Sequence, residues 1–189
     1  MELEVLQFGT QQNWESWLEK NHRQQDGVWL KFAKKNSGEI TVTYGEALEV
    51  GLCYGWIDSQ TKTFDEKFYL QKFTPRRTKS LWSKVNREKI EKLIAEGKMR
   101  PAGLVQVEAA KADGRWDAAY SSASTIQVPA DFQRALNKNK KAADFFVGLS
   151  SSNRYAILFR LENTKRAETR QANIKKYVQM LADGQKFHP

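Results

Sequence analysis

Apolar and polar residues recur in short segments through the first 75 residues, with turn-forming residues between the segments. Runs rich in β-branched and aromatic residues indicate strands, whereas apolar residues spaced three or four apart indicate helices. Thr10 can cap a helix that carries Trp14 and Leu18, and Thr43 opens a capping box with Glu46. The pattern predicts the order β-α-β-β-α-β-β, with strands at residues 3–8, 28–35, 40–42, 56–58 and 68–73.

Short connections join these elements, so we expect a small, mostly antiparallel sheet with the two helices covering one face. After Pro75 the apolar residues fall at helical spacing, separated by breakers such as Gly97, Pro101 and Pro129. The predicted fold class is therefore α+β. An α+β sheet domain is expected at residues 1–79, followed by a helical C-terminal region at residues 80–189 that packs on or beside it.

Composition narrows the class of protein. No run approaches the length of a transmembrane helix, and the first residues lack the basic and apolar regions of a secretory signal, so we expect a cytoplasmic protein without a membrane span. One cysteine and two histidines cannot furnish an ordinary structural zinc site, and no nucleotide-binding or metalloprotease motif is present. Neither a metal nor a cofactor is expected.

The positive charge is concentrated in two segments. The chain has a formal charge of +9, of which residues 72–100 carry +7 and residues 164–176 carry +4, leaving −2 for the remainder. Such localisation indicates an anionic partner, although amphipathic helices also solvate one face with lysine and arginine. The partner is expected to be an anionic small molecule or an acidic protein surface.

The first candidate site is the segment that runs from Gly55 to Asp58. The glycine permits a close approach of the backbone, Trp56 offers a stacking surface, and Asp58 offers a hydrogen-bond acceptor. The alternative is a helix end with Trp56 in the core and Asp58 bonded to local groups. An enzyme would use Asp58 as acid or base in a pocket.

The second candidate site follows Pro75, which fixes one backbone angle and holds the residues after it on a stiff corner. Arg76, Arg77 and Lys79 precede a predicted helix, and Trp82 adds a flat ring. This arrangement is typical of a phosphate or carboxylate site. The alternative is a connector whose arginines pair with carboxylates of the sheet domain.

Nucleic acid is a weaker prediction, because basic residues interleave with aromatic ones but no helix-turn-helix, zinc finger or RNP-like aromatic pair is present. The signal is therefore electrostatic alone.

Six segments resemble the YdeI/OmpD-associated family of bacterial proteins, also called bacteriocin-protection proteins. They are CYGWID at 53–58, FTPRR at 73–77, SLWS at 80–83, AKADGRW at 110–116, SSNRY at 151–155 and KRAETR at 165–170. The resemblance implies a YdhG-like front domain, a helical C-terminal part and a link to stress or antimicrobial-peptide resistance. The family has been described as periplasmic. The resemblance transfers no catalytic residue.

Together these observations predict a non-catalytic protein that binds an anionic small ligand or partner. The ligand-binding residues are expected to be Trp56, Asp58, Arg76, Arg77, Lys79 and Trp82. The sequence leaves the oligomeric state open.

Overall fold

The structure is a computed structural model that describes residues 3–24 and 26–189. Within these residues it contains four strands and eight helices. The strands are β1 (Val5–Leu6), β2 (Val28–Ala33), β3 (Trp56–Thr63) and β4 (Phe68–Pro75). The helices are α1 (Gln11–Asn21), α2 (Tyr44–Cys53), α3 (Lys84–Ala95), α4 (Pro101–Ala112), α5 (Ala130–Asn137), α6 (Lys140–Gly148), α7 (Ser151–Glu162) and α8 (Ala167–Ala182). The predicted α+β class is confirmed.

The four strands form one mixed sheet in the order β1-β2-β4-β3. The β1 and β2 strands are parallel, whereas β2 with β4 and β3 with β4 are antiparallel. The prediction of a strand at residues 40–42 is wrong, since this segment has no strand conformation. Residues 40–42 cannot pair with β2, because β1 and β4 already occupy both of its edges. The segment is held instead by Val42, whose N–H donates to Phe8 O at 2.8 Å.

Local sequence determines where the first helices begin. Thr10 caps α1 by accepting the N–H of Asn13, and Thr43 forms the predicted capping box with Glu46 at the start of α2. The Thr43 N–H bond is the largest cause that lowers the pKa of Glu46. These caps satisfy amides that have no partner inside the helix.

Contacts divide the described chain into two compact units. Unit 1 comprises the described residues through Trp82 together with Asn86–Ala119, and unit 2 comprises Ser83–Val85 and Tyr120–Pro189. Unit 1 thus includes α4 and most of α3, whose Ile90, Leu93 and Val107 share a core with the sheet. The predicted domains, residues 1–79 and 80–189, assign α3 and α4 to the C-terminal region instead. This domain boundary stays a prediction.

The core of unit 1 lies between the sheet and the helices α1 and α2. Trp14 of α1 is fully buried and packs edge-on against Trp56 and Phe73, at centroid distances of 6.1 and 5.8 Å. Its Nε1–H donates to Ala47 O of α2 at 3.1 Å. Burial of such large rings is the main favourable contribution to the folding of this unit.

Unit 2 has its own apolar core, built by α5 to α8. Phe132, Leu136, Ile157, Leu161 and Leu181 are buried there, and the ring of Phe132 packs perpendicular to that of Phe146 at 5.5 Å. Among the described residues, none of the helices of either unit has both the length and the apolar character needed to cross a membrane.

Candidate anion-binding cleft

The structure separates the six residues that the sequence analysis proposed for one site. Trp56 lies at 0% exposure, and its Nε1–H donates to His22 O at 2.9 Å. A fully buried indole offers no stacking surface to a ligand. The structure therefore places Trp56 in the core, close to His22. This is the alternative that the sequence left open for Trp56.

Asp58 is half-buried on β3, opposite Phe73 of β4. Its Oδ2 accepts the O–H of Tyr44 at 2.8 Å. Burial, followed by this hydrogen bond, raises the pKa of Tyr44 well above its usual range. Asp58 is thus tied to a neutral phenol at the start of α2, and its use as a catalytic acid or base stays a prediction.

Arg76 and Trp82, two of the six proposed residues, are in contact. The guanidinium carbon of Arg76 lies 3.7 Å from the centroid of the Trp82 ring, and Nη1 donates to Leu81 O at 3.1 Å. Arg76 is only 7% exposed, and Trp82 is buried as well. Stacking and burial hold this cation in one orientation, so it loses little conformational freedom when it binds a ligand.

Arg77 and Lys79 are exposed, and neither lines the cleft that contains Arg76. Pro75 lines two clefts, with Arg76 in one and Arg77 in the other. The stiff corner therefore points neighbouring arginines to different surfaces.

The cleft that contains Arg76 has a volume of about 770 Å³ and lies within unit 1. We call it the arginine cleft. Its basic side chains come from three separate segments of the chain. They are His22, Arg23, Arg76 and Arg100, and the remaining lining residues are Glu19, Tyr54, Gly55, Pro75, Pro101, Ala102, Val105 and Gln106. The lining residues include three arginines and one carboxylate, and a second carboxylate, Glu15, pairs with Arg100, so the cleft keeps a positive charge that attracts anions.

Arg100 is held from its far side. Its Nη2 lies 2.6 Å from Glu15 Oε1 of α1, and this hydrogen bond is the largest cause that raises the pKa of Arg100. Tyr54 also bonds to Arg100, while burial raises the pKa of the Tyr54 phenol. The cation is half-exposed, so the pair with Glu15 orients Arg100 without burying it.

The N-terminal turn of α4 forms one wall of the arginine cleft. Pro101 occupies the first turn, and Arg100 at the N-cap makes no capping bond with its side chain. A helix N-terminus carries a partial positive charge, and its first amides have no partner within the helix. This end of α4 therefore adds to the positive potential of the three arginines.

Glycine at position 103 permits α4 to approach the end of α2. A Cβ atom at Gly103 would lie 2.2 Å from Cys53 O, and the Arg100 N–H donates to the same oxygen at 3.1 Å. Gly55 has φ +76° and follows the end of α2, where its carbonyl accepts the Arg76 N–H at 2.9 Å. These two close approaches bring Arg76 and Arg100 to the same cleft.

Sequence reasoning identified Arg76 but missed His22, Arg23 and Arg100 as partners. Arg100 lies in the basic segment 72–100, and Pro101 after it marks a helix start, so both signals were present. No local signal indicates Arg23, because only the packing of α1 brings it to the cleft. Among the described residues, no group of three or more His, Cys, Asp or Glu side chains is arranged to hold a metal ion.

The geometry defines a class of protein with two units. One is an α+β unit with a basic cleft, and the other is built of helices. The chain belongs to the family of the domain of unknown function DUF8412, whose model matches residues 6–106, just over half of the chain. Residues 125–184 match the family model named Bacteriocin-protection, YdeI or OmpD-Associated, which confirms the predicted resemblance. The YdhG-like character of the front domain stays a prediction. No curated protein and no solved structure matched the chain.

Proposed function

We propose that this protein is a non-catalytic binding protein that holds an anionic small molecule in the arginine cleft. The observation that carries the proposal is the position of Arg76, a cation at 7% exposure that nevertheless lines an open cleft. Desolvated, oriented cations bind anions more strongly than solvated ones, because less water is displaced and less motion is lost.

The lining of the cleft supports a ligand with a carboxylate or phosphate group and a small apolar part. Arg76 and Arg100 offer planar donor groups that match these anions. Pro75, Ala102 and Val105 provide apolar surface beside them. A recessed cation favours a small molecule over an acidic protein surface, since a broad surface contacts exposed lysines and arginines first.

Isothermal titration calorimetry with inorganic phosphate, sulfate and citrate tests the proposal. Arg76→Gln should weaken the best of these probes about tenfold or more, because a hydrogen bond to a charged group contributes roughly 1.5–3 kcal/mol. Arg77→Gln is the matched control, since the neighbouring exposed arginine loses the same charge outside the arginine cleft. Its affinity should stay within about twofold of the wild type.

Arg100→Gln gives an independent measurement in case Arg76→Gln does not fold. It removes a half-exposed cation of the same cleft and should also weaken binding severalfold. Equal affinities for the Arg76, Arg77 and Arg100 variants, or no binding of any probe to the wild type, would contradict the proposal.

The place of this binder in the cell is also part of the proposal. We place it in the cytoplasm, and its free, buried Cys53 supports a reducing compartment. The name of the matched family model supports a role in bacteriocin or antimicrobial-peptide resistance. Fractionation of cells expressing the full chain tests the first point. Survival of a deletion strain carrying wild type or Arg76→Gln under peptide challenge tests the second.

A further inference from the structure

The face of the sheet opposite α1 and α2 carries three lysines. Lys31 of β2 and Lys62 of β3 both pair with Leu70 of the central strand β4, one from each side. Lys72 lies two residues further along β4, opposite Trp29. Residues directly opposite each other, or two apart on a strand, share a face, so these side chains all point to the same side. Two strand spacings separate Lys31 from Lys62, roughly 10 Å.

Aromatic rings lie beneath two of these ammonium groups. Lys31 Nζ lies 4.0 Å from the centroid of Phe68 and 4.6 Å from that of Phe64, and Lys62 Nζ lies 4.3 Å from that of Trp29. Phe64 is 49% exposed, and Trp29 is half-buried. We call this surface the lysine face, comprising Trp29, Lys31, Lys62, Phe64, Phe68 and Lys72.

The ion pairs of the described residues do not involve the lysine face. None of its three lysines has a carboxylate of residues 3–24 or 26–189 within 4.0 Å. The Asp65 carboxylate in the neighbouring turn accepts the amides of Lys67 and Phe68, both at 2.8 Å. Its negative charge is therefore already bound to local donors.

One end of the lysine face is less positive. There Lys72 lines a cleft of about 510 Å³ that also contains Arg77, but Glu4 and Asp26 line the same cleft. Among the described residues, the cations with no carboxylate nearby are thus those over the aromatic rings, Lys31 of β2 and Lys62 of the edge strand β3, and the ligand is expected there.

We infer that the lysine face binds single-stranded nucleic acid through a few nucleotides. Phosphates pair with the lysines, and an unpaired base stacks on the exposed ring of Phe64 or on the edge of Trp29. The lysine–ring contacts are weak at such exposed positions. A base can therefore displace the ammonium group from the ring, or insert between the two. Stacking on an exposed ring needs a base that is not already stacked within a duplex, which favours single strands.

The partly exposed rings distinguish this ligand from an acidic protein. An acidic protein surface needs the three lysines alone, whereas a single strand uses the lysines and the exposed rings together. The apolar Phe64 ring is exposed next to a lysine. Binding of a nucleic acid explains this exposure, whereas binding of an acidic protein does not.

Fluorescence anisotropy with labelled decamers of uridine and of thymidine tests this inference on the full chain. The double variant Lys31→Gln/Lys62→Gln should weaken binding about tenfold and reduce the slope of log affinity against log salt by about 1.4. The matched control Lys165→Gln/Lys175→Gln removes two exposed lysines of unit 2 and should change neither quantity by more than experimental error.

The stacking part of the inference is tested by Phe64→Ala, which changes no charge. It should weaken binding of the decamers roughly 5- to 100-fold, since stacking on an aromatic side chain has that effect per base. Because Phe64 is half-exposed at a turn, this variant is expected to fold, and circular dichroism checks that it does.

Several results would overturn the inference. They are equal loss in the unit 2 control, unchanged affinity in Phe64→Ala, equal binding of a 20-base-pair duplex, or equal binding of poly-glutamate. Arg76→Gln should leave decamer binding unchanged, so failure of the proposed arginine cleft and failure of the lysine face are separate outcomes.

Discussion

Arg76 of unit 1 and Arg170 of unit 2 are both largely shielded from solvent, and they are held in different ways. In unit 2, Arg170 forms a forked pair with Asp131, with Nε–Oδ2 and Nη2–Oδ1 distances of 2.6 and 3.0 Å, and also donates to Leu161 O. In unit 1, Arg76 lies over the Trp82 ring and donates to Leu81 O, with the arginine cleft beside it.

The comparison contrasts an arginine paired with a carboxylate of its own unit with one that is stacked on an aromatic ring beside a cleft. The carboxylate of Asp131 satisfies the charge of Arg170 and fixes α5 against α8. The guanidinium of Arg76 instead stacks on the Trp82 ring and donates to a backbone oxygen. Four predictions compare the two units further.

Replacing the ring beneath Arg76 should have the largest effect. Trp82→Ala removes a buried indole that also packs against Trp116 at 5.0 Å, and should lower the free energy of unfolding by about 3–5 kcal/mol. Urea denaturation followed by circular dichroism measures it. Phe132→Ala in unit 2 is the control of similar size, which should lower stability equally but leave anion binding intact at low denaturant. A loss below about 1 kcal/mol for Trp82→Ala would show that the ring is not part of the core.

Glycine substitutions in the two units should have opposite signs. Gly103→Ala places a methyl group 2.2 Å from Cys53 O, where backbone must move, and should lower the free energy of unfolding by about 3 kcal/mol. Gly148→Ala in α6 meets no described atom within 4 Å and should raise stability by up to about 1 kcal/mol. Differential scanning calorimetry compares the two melting temperatures. A neutral Gly103→Ala would mean that α4 is free to shift away from the end of α2.

The pair in unit 2 predicts a dependence of stability on pH. The hydrogen bond from Arg170 is the main cause that lowers the pKa of Asp131. A lowered carboxyl pKa adds stability that is present above the usual aspartate value of about 3.9 and is lost as the pH falls through the folded-state pKa. Arg170→Gln should lower the free energy of unfolding at pH 7 by about 1–2 kcal/mol and make its decrease below about pH 4 shallower. Urea titrations at pH 7, 4 and 3 measure both effects, and an unchanged acid dependence would contradict the assignment.

How far the sequence anticipates this structure depends on the range of the interactions. The capping box of Thr43 and Glu46 is encoded within four residues, and it was predicted correctly. Whether residues 40–42 form a strand depends on which strands occupy the edges of β2. Residues 5–6 and 68–73 occupy those edges. Local strand propensity carries no information about this competition.

The candidate site follows the same rule. Pro75 and the basic run after it are local, so Arg76 could be named as a candidate from the sequence, whereas the stacking of its guanidinium on Trp82 was not predicted. The division of Arg76 and Arg77 between two clefts, and the arrival of Arg23 and Arg100, depend on how α1 and α4 pack against the end of α2. Trp56 lies in the core because two aromatic residues of α1, Trp14 and Trp17, pack edge-on against its ring.

The smallest expected effect concerns the arginines at two helix N-caps. Arg100 precedes α4 and Arg166 precedes α8, and neither side chain caps its helix. Serine accepts a hydrogen bond from the first amides, so Arg166→Ser should raise the free energy of unfolding by about 0.5–1 kcal/mol. Arg100→Ser should gain less, because it also loses the pair with Glu15. Only Arg100→Ser should weaken binding of the anion probe, severalfold as for Arg100→Gln.

These two variants distinguish ligand binding from structural support at the same helical position. If Arg100 stabilises the fold through Glu15, Arg100→Ser lowers stability by more than about 1 kcal/mol and the arginine is an anchor like Arg170. If Arg100 is held for a ligand, stability stays nearly constant while calorimetry shows weaker anion binding. A helix that begins with arginine in place of a capping residue forgoes about 1 kcal/mol of stability. At Arg100, unlike at Arg166, that loss is accompanied by a cation beside Arg76 in the same cleft.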